Sequence, residues 1–111
     1  MRITEKQNDD ILVYAVNGDI DMNSSPEIRK AFEKAVNSKA MKVVINLRDV
    51  SYIDSSGLAT LVEMLKNARN YGGKLRITDL AAKVKSLFEI TKLEKLFDIY
   101  DTEEEALINF G

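Results

Sequence analysis

The sequence predicts an α/β fold, with a mixed sheet of about five strands in β-β-α-β-α-β-α-β-α order and helices packed on it. Three observations carry this. Two β-prone segments at the start flank the turn chemistry of Asn8-Asp9-Asp10, which makes a hairpin. Short β-branched runs then alternate with segments whose apolar residues recur three and four apart. Val43-Val44-Ile45 is apolar at consecutive positions, the pattern of a central strand covered on both faces. At 111 residues the chain is expected to be a single domain, 1–111.

Taken in order, Arg2 to Lys6 reads as a short strand. Ile11 to Val16 reads as a strong one, with Leu12, Tyr14 and Val16 on one face and Ile11, Val13 and Ala15 on the other. Gly18 ends it, leaving Asp19-Ile20-Asp21 in the following loop. Pro26 suits a first helical position, so Ser25 is the expected N-cap of a helix with Ile28, Ala31, Phe32, Ala35 and Val36 on its apolar stripe. Lys42 to Leu47 is the central strand. A second helix is expected from about Ser56 to Tyr71, burying Leu58, Leu61, Val62, Leu65 and Ala68, and stopped by Gly72-Gly73. Lys74 to Thr78 is the next strand. Ala81 to Glu89 is a short helix with Val84, Leu87 and Phe88 inward, and Leu96 to Tyr100 is a last strand. Thr102-Glu103-Glu104-Glu105 is a capping box opening a terminal helix through Phe110.

Composition narrows the chemistry. The chain has no cysteine and no histidine, which excludes thiolate catalysis, a Ser-His-Asp triad and His- or Cys-based zinc sites. A net charge of −2 gives no basic footprint for nucleic acid. No leader pattern is visible, and the longest apolar stretch, Ile11 to Val16, is too short to span a bilayer. A cytoplasmic monomer without nucleic-acid or membrane partners is the expectation, since no excess of apolar surface demands a dimer.

The run Asp54-Ser55-Ser56-Gly57-Leu58 lies between a strand and a helix. One serine suffices as an N-cap, so the other hydroxyl is spare. Gly57 in a first helical turn costs about 1 kcal/mol relative to alanine, which points to close approach by another backbone. Asp54 reads either as a carboxylate complementing the helix dipole or as a group orienting a serine or facing a partner. Asp19 and Asp21 are either solvated loop carboxylates or part of the same strand-end edge, where open α/β sheets place their sites. Their spacing matches no calcium loop. Glu103 to Glu105 reads as a solvated helix-start cluster, and Lys83 and Lys85 as a solvated helix face.

Val43-Val44-Ile45-Asn46-Leu47 followed by Val50-Ser51-Tyr52-Ile53-Asp54-Ser55-Ser56-Gly57-Leu58 resembles the signature of the STAS domain, and more narrowly that of the bacterial anti-sigma factor antagonists. Gly18-Asp19-Ile20-Asp21 resembles the family's loop before the first helix. Gly72-Gly73-Lys74-Leu75 and Val84-Lys85-Ser86-Leu87-Phe88 fit its later junction and third helix. Ala59 departs from the glycine common there, outside the acceptor position.

The resemblance implies a STAS-type mixed sheet and a non-catalytic regulator. Such a regulator binds an anti-sigma factor that is also a serine kinase, and so releases a sigma factor. Phosphorylation on the serine after the aspartate, here Ser55 in preference to Ser56, inactivates it, and a serine phosphatase restores it. ATP and Mg²⁺ belong to the kinase, so the chain needs no cofactor or metal of its own. Asp19, Asp21, Asp54, Ser55, Ser56, Gly57 and Leu58 form the implied partner-binding set, with Ser56 starting the helix.

Three other readings compete. A STAS accessory module of a transporter or stress-signalling assembly keeps the fold, and some of these bind nucleotides. A phospho-aspartate receiver would use Asp54, but Asp9-Asp10 precedes the strong strand instead of following it. An enzyme acting through Ser55 would need a lysine or carboxylate base that the sequence does not place.

Overall fold

Every predicted strand and helix is present in the computed structural model, which describes residues 1–110, but several boundaries move. Strands β1 (Arg2–Asn8) and β2 (Ile11–Asn17) form the antiparallel hairpin. After them come α1 (Ser25–Asn37), β3 (Lys42–Asp49), α2 (Ser55–Asn70), β4 (Lys74–Thr78), α3 (Ala82–Ile90), β5 (Asp98–Tyr100) and α4 (Glu103–Ala106). The strands lie in the order β1-β2-β3-β4-β5, and every pair after the first is parallel. The consecutive apolar residues of β3 place it at the centre, as predicted.

Helices α1, α2 and α3 cover one face. Tyr14, Val16, Val43, Ile45 and Ile77 of the sheet meet Ile28 and Phe32 of α1, Leu61 and Leu65 of α2, and Phe88 of α3. Each fully buried aliphatic or aromatic side chain contributes roughly 1.5–3 kcal/mol. Tyr14 also donates its hydroxyl to the Ala31 carbonyl at 3.1 Å, which satisfies its polar end. The opposite face is smaller: Ile11, Val13 and Val44 pack under Ala106 and Phe110.

Three boundaries differ for identifiable reasons. Ser25 is already helical, and Ser24 flanks α1. The chain begins to wind at Asp21, whose carbonyl accepts from Ser25 N at 2.8 Å. β5 starts at Asp98 instead of Leu96 because a 3₁₀ turn, Leu93–Lys95, carries helical backbone into Leu96. The terminal helix stops at Ala106 instead of Phe110. There the Arg76 guanidinium gathers the carbonyls of Ala106, Ile108 and Asn109 at 2.9, 3.0 and 3.2 Å, and stacks 4.1 Å from the Phe110 ring centre. Those carbonyls turn toward the arginine instead of continuing a helical ladder.

Glu103 also does more than the sequence suggests. Its carboxylate accepts from Lys6 Nζ at 2.9 Å and Asn46 Nδ2 at 3.0 Å, tying α4 to β1 and β3. Partial burial raises its pKa, but the hydrogen bonds from Asn46 and Lys6 outweigh this and hold it below the ordinary 4.5. A depressed folded pKa means the stabilisation is present above the unfolded value and is lost as pH falls through the folded one. Glu103→Gln is therefore expected to cost at most about 1 kcal/mol at neutral pH, because Lys6 is largely solvated. The cost should vanish below the glutamate range. Urea midpoints at pH 7 and pH 3 check this, and a gap that persists at pH 3 contradicts it.

Candidate functional site

The site is built where the β2–α1 loop meets the β3–α2 loop. Gly18 leaves β2 at φ +116, a backbone region that favours glycine, and the chain then runs beside residues 50–54. Ile20 and Ile53 form a parallel bridge, 0% and 3% exposed. Ile20 N donates to the Tyr52 carbonyl at 2.9 Å, and Asp54 N donates to the Ile20 carbonyl at 3.1 Å. The two loops thus extend the sheet by one residue each and bring the acidic loop beside the Asp54–Leu58 run.

Asp54 is the N-cap of α2. Its Oδ1 accepts from Gly57 N at 2.9 Å, and its Oδ2 accepts from Met22 N at 3.0 Å. This corrects the assignment of Ser56 as the helix start. Aspartate and serine are comparable caps, and here the carboxylate has a second oxygen to reach across to Met22, which a serine hydroxyl cannot do. Both carboxylate oxygens hold backbone N–H groups, and among the described residues neither accepts from a serine hydroxyl. Asp54→Ala removes the cap and the cross-loop tie together, with an expected loss of about 1–2 kcal/mol. Asp54→Asn, which keeps one acceptor, should lose less, as urea midpoints of the two variants would show. Equal losses would contradict the double role.

Both serines are therefore free of capping duty. Ser55, the first helical residue, is exposed, and its hydroxyl makes no hydrogen bond among the described residues. Ser56 is half-buried and its carbonyl accepts from Thr60 Oγ1 at 3.0 Å. Gly57 is buried against Ile20 and Ile53, and Leu58 is half-buried on the edge of the helix-face core.

The two loop acids differ. Asp21 Oδ1 accepts from Asn23 N and Ser24 N at 2.9 and 3.0 Å, closing the first turn before α1. Asp19 is exposed, and its Oδ1 accepts from Ser51 Oγ at 3.3 Å. Sequence reasoning missed two neighbours. Met22 is 70% exposed and Tyr52 is 54% exposed, one on each of the two paired loops. The signals were present: Met22 is an apolar residue inside the polar loop Asp21-Met22-Asn23-Ser24, and Tyr52 precedes the inward Ile53. The surface thus carries a free hydroxyl, the exposed carboxylate of Asp19 and two exposed apolar side chains. Such an arrangement suits protein docking. Among the described residues no three acidic side chains group as a metal site, and no helix is long and apolar enough to cross a membrane.

The family model for the STAS domain matches residues 2–106. The anti-sigma-B factor antagonist of Bacillus subtilis is 33% identical over 99 residues, covering 89% of this chain and 90% of the relative. An anti-sigma factor antagonist from Mycobacterium paratuberculosis has a similar structure, with a TM-score of 0.88 and 25% identity, covering 96% of this chain and 90% of that one. The Bacillus cell fate determinant SpoIIAA in its phosphorylated form has a TM-score of 0.74 at 19% identity, covering 96% of each chain, a likeness of fold alone.

Proposed function

The chain belongs to the STAS domain family, and on that premise we propose that it is an anti-sigma factor antagonist whose docking is switched by phosphate on Ser55. In the unphosphorylated form it binds an anti-sigma factor that is also a serine kinase, and so frees a sigma factor. The kinase brings ATP and Mg²⁺ and phosphorylates Ser55, which ends the complex. A serine phosphatase reverses the modification. The chain acts in the cytoplasm and catalyses nothing itself.

The observation that carries this reading is the division of labour at the start of α2. Asp54 performs the capping, leaving Ser55 exposed with its hydroxyl unengaged. A kinase can take that hydroxyl without dismantling the helix. The helix N-terminus favours an added negative charge by about 0.3–1 kcal/mol, so the fold tolerates the phosphate. Met22 and Tyr52 are exposed apolar side chains on the two loops that meet here, and Asp19 and Asp21 lie in the first of them.

Incubation with the cognate serine kinase and MgATP, followed by phosphosite mapping, tests the reading. Phosphate is expected on Ser55, and Ser55→Ala should accept almost none. Phosphate found only away from Ser55 and Ser56 would contradict the proposal.

A further inference from the structure

The far edge of the sheet carries a second surface. β5 is the outermost strand, paired to β4 on one side and open on the other among the described residues. Between β5 and α3 lies an open groove of about 390 Å³. Phe88 and Phe97 lie buried at its base, their rings edge to face and 5.6 Å apart. Its walls carry carboxylates from three different segments. Glu89 comes from α3, Glu94 from the 3₁₀ turn and Asp101 from beyond β5, and none of the three is in an ion pair among the described residues. Asp98 also borders the groove, but its carboxylate holds Arg76 at 3.3 Å. Lys85 is the one cation lining the groove.

We propose that this edge accepts an added strand from a protein partner: an extended segment with cationic residues at alternate positions. An open strand edge beside a helix supplies both parts of strand-addition recognition. The backbone of β5 offers main-chain hydrogen bonds, and alternate side chains of the added strand fall into the groove. Ile99 packs with the core under α1–α3, so the residues of the incoming strand on that same face are the ones that meet Glu89 and Glu94. Three unpaired carboxylates around an apolar floor favour side chains with an aliphatic stem and a positive head.

A second copy of the chain fits poorly. It has two free edges: β5, which would bring a second set of the same carboxylates, and β1, where Ile3 and Glu5 lie opposite Val16 and Tyr14 and therefore face the helix side. Added to β5, the β1 edge would bring Glu5 to an already acidic groove.

The experiment titrates the full ¹⁵N-labelled chain with a heptapeptide of alternating valine and lysine. Two controls accompany it: the same peptide with glutamate for lysine, and the lysine peptide N-methylated at alternate backbone nitrogens. The lysine peptide is expected to shift the amides of Ile99 and Tyr100 and of α3, and to bind more weakly as salt rises. A Glu89→Lys/Glu94→Lys variant, both positions being exposed, should keep the native spectrum and bind at least tenfold more weakly. Ser55→Ala should bind the peptide unchanged, which separates this surface from the phosphorylation site. The proposal is overturned by absence of binding, by equal binding of the N-methylated or the acidic peptide, by shifts confined to residues around Ser55, or by self-association of the chain through β5.

Discussion

Replacing Gly57 with alanine is expected to lower stability by about 2 kcal/mol or more, although alanine in a helix ordinarily gains about 1 kcal/mol over glycine. The reason is contact, not conformation. A β-carbon at position 57 would strike the Ile20 carbonyl oxygen and would lie 2.7 Å from Ile20 Cγ2 and 2.8 Å from Ile53 Cγ2. None of these atoms yields easily. The Ile20 carbonyl accepts from Asp54 N, its N–H donates to Tyr52, and both isoleucines are buried. Relief requires the β2–α1 loop to move away from α2, which stretches the Met22–Asp54 hydrogen bond as well. Against a total stability of about 5–15 kcal/mol this is a large change. Urea unfolding measures it, and a Gly57→Ala chain as stable as the parent would refute the close approach.

Ser55→Asp is expected to weaken binding to the anti-sigma factor at least tenfold while leaving the melting temperature almost unchanged. The two effects separate because they act in different places. Within the fold, an added carboxylate stands at the first position of α2, where the helix dipole favours negative charge. At the interface, a partner surface shaped for a neutral hydroxyl meets a new charge. Two unit charges about 4 Å apart interact by roughly 4 kcal/mol at an effective dielectric of 20. Half of that exceeds the roughly 1.4 kcal/mol that corresponds to tenfold in affinity. Phosphate, with about −1.5 to −2 charges, should act more strongly still. Ser55→Ala should bind as the parent does and resist the kinase. Calorimetric titration of the three forms against the partner reads this directly, and tight binding by Ser55→Asp would remove the electrostatic basis of the switch.

The parts of the molecule legible in the sequence were those set by local pattern. The alternation in Ile11–Val16 and the three-and-four spacing from Ile28 to Val36 assign the correct faces, because burial on one face is what writes those periods. Gly57 was legible as a close approach because a helix has no other use for glycine there. What the sequence did not disclose was decided by distant residues. Asp54 is the cap in place of either serine because Met22, far back in the chain, takes its second oxygen. α4 ends early because Arg76 in β4 claims its last carbonyls. Glu103 belongs to a latch that needs Lys6 and Asn46, which only the sheet brings together. Met22 and Tyr52 each carry a local sign of exposure, but their place beside Asp54 is set by the pairing of two loops distant in the chain.

The most direct test compares the unmodified chain with the chain phosphorylated on Ser55 by the cognate kinase. Affinity for the nucleotide-loaded anti-sigma factor and thermal stability are measured on the same two samples. The expected result is an affinity loss of at least tenfold with stability held. Equal affinity of the two forms, or a loss of affinity that comes with unfolding of the phosphorylated chain, would contradict a switch that works through the docking surface.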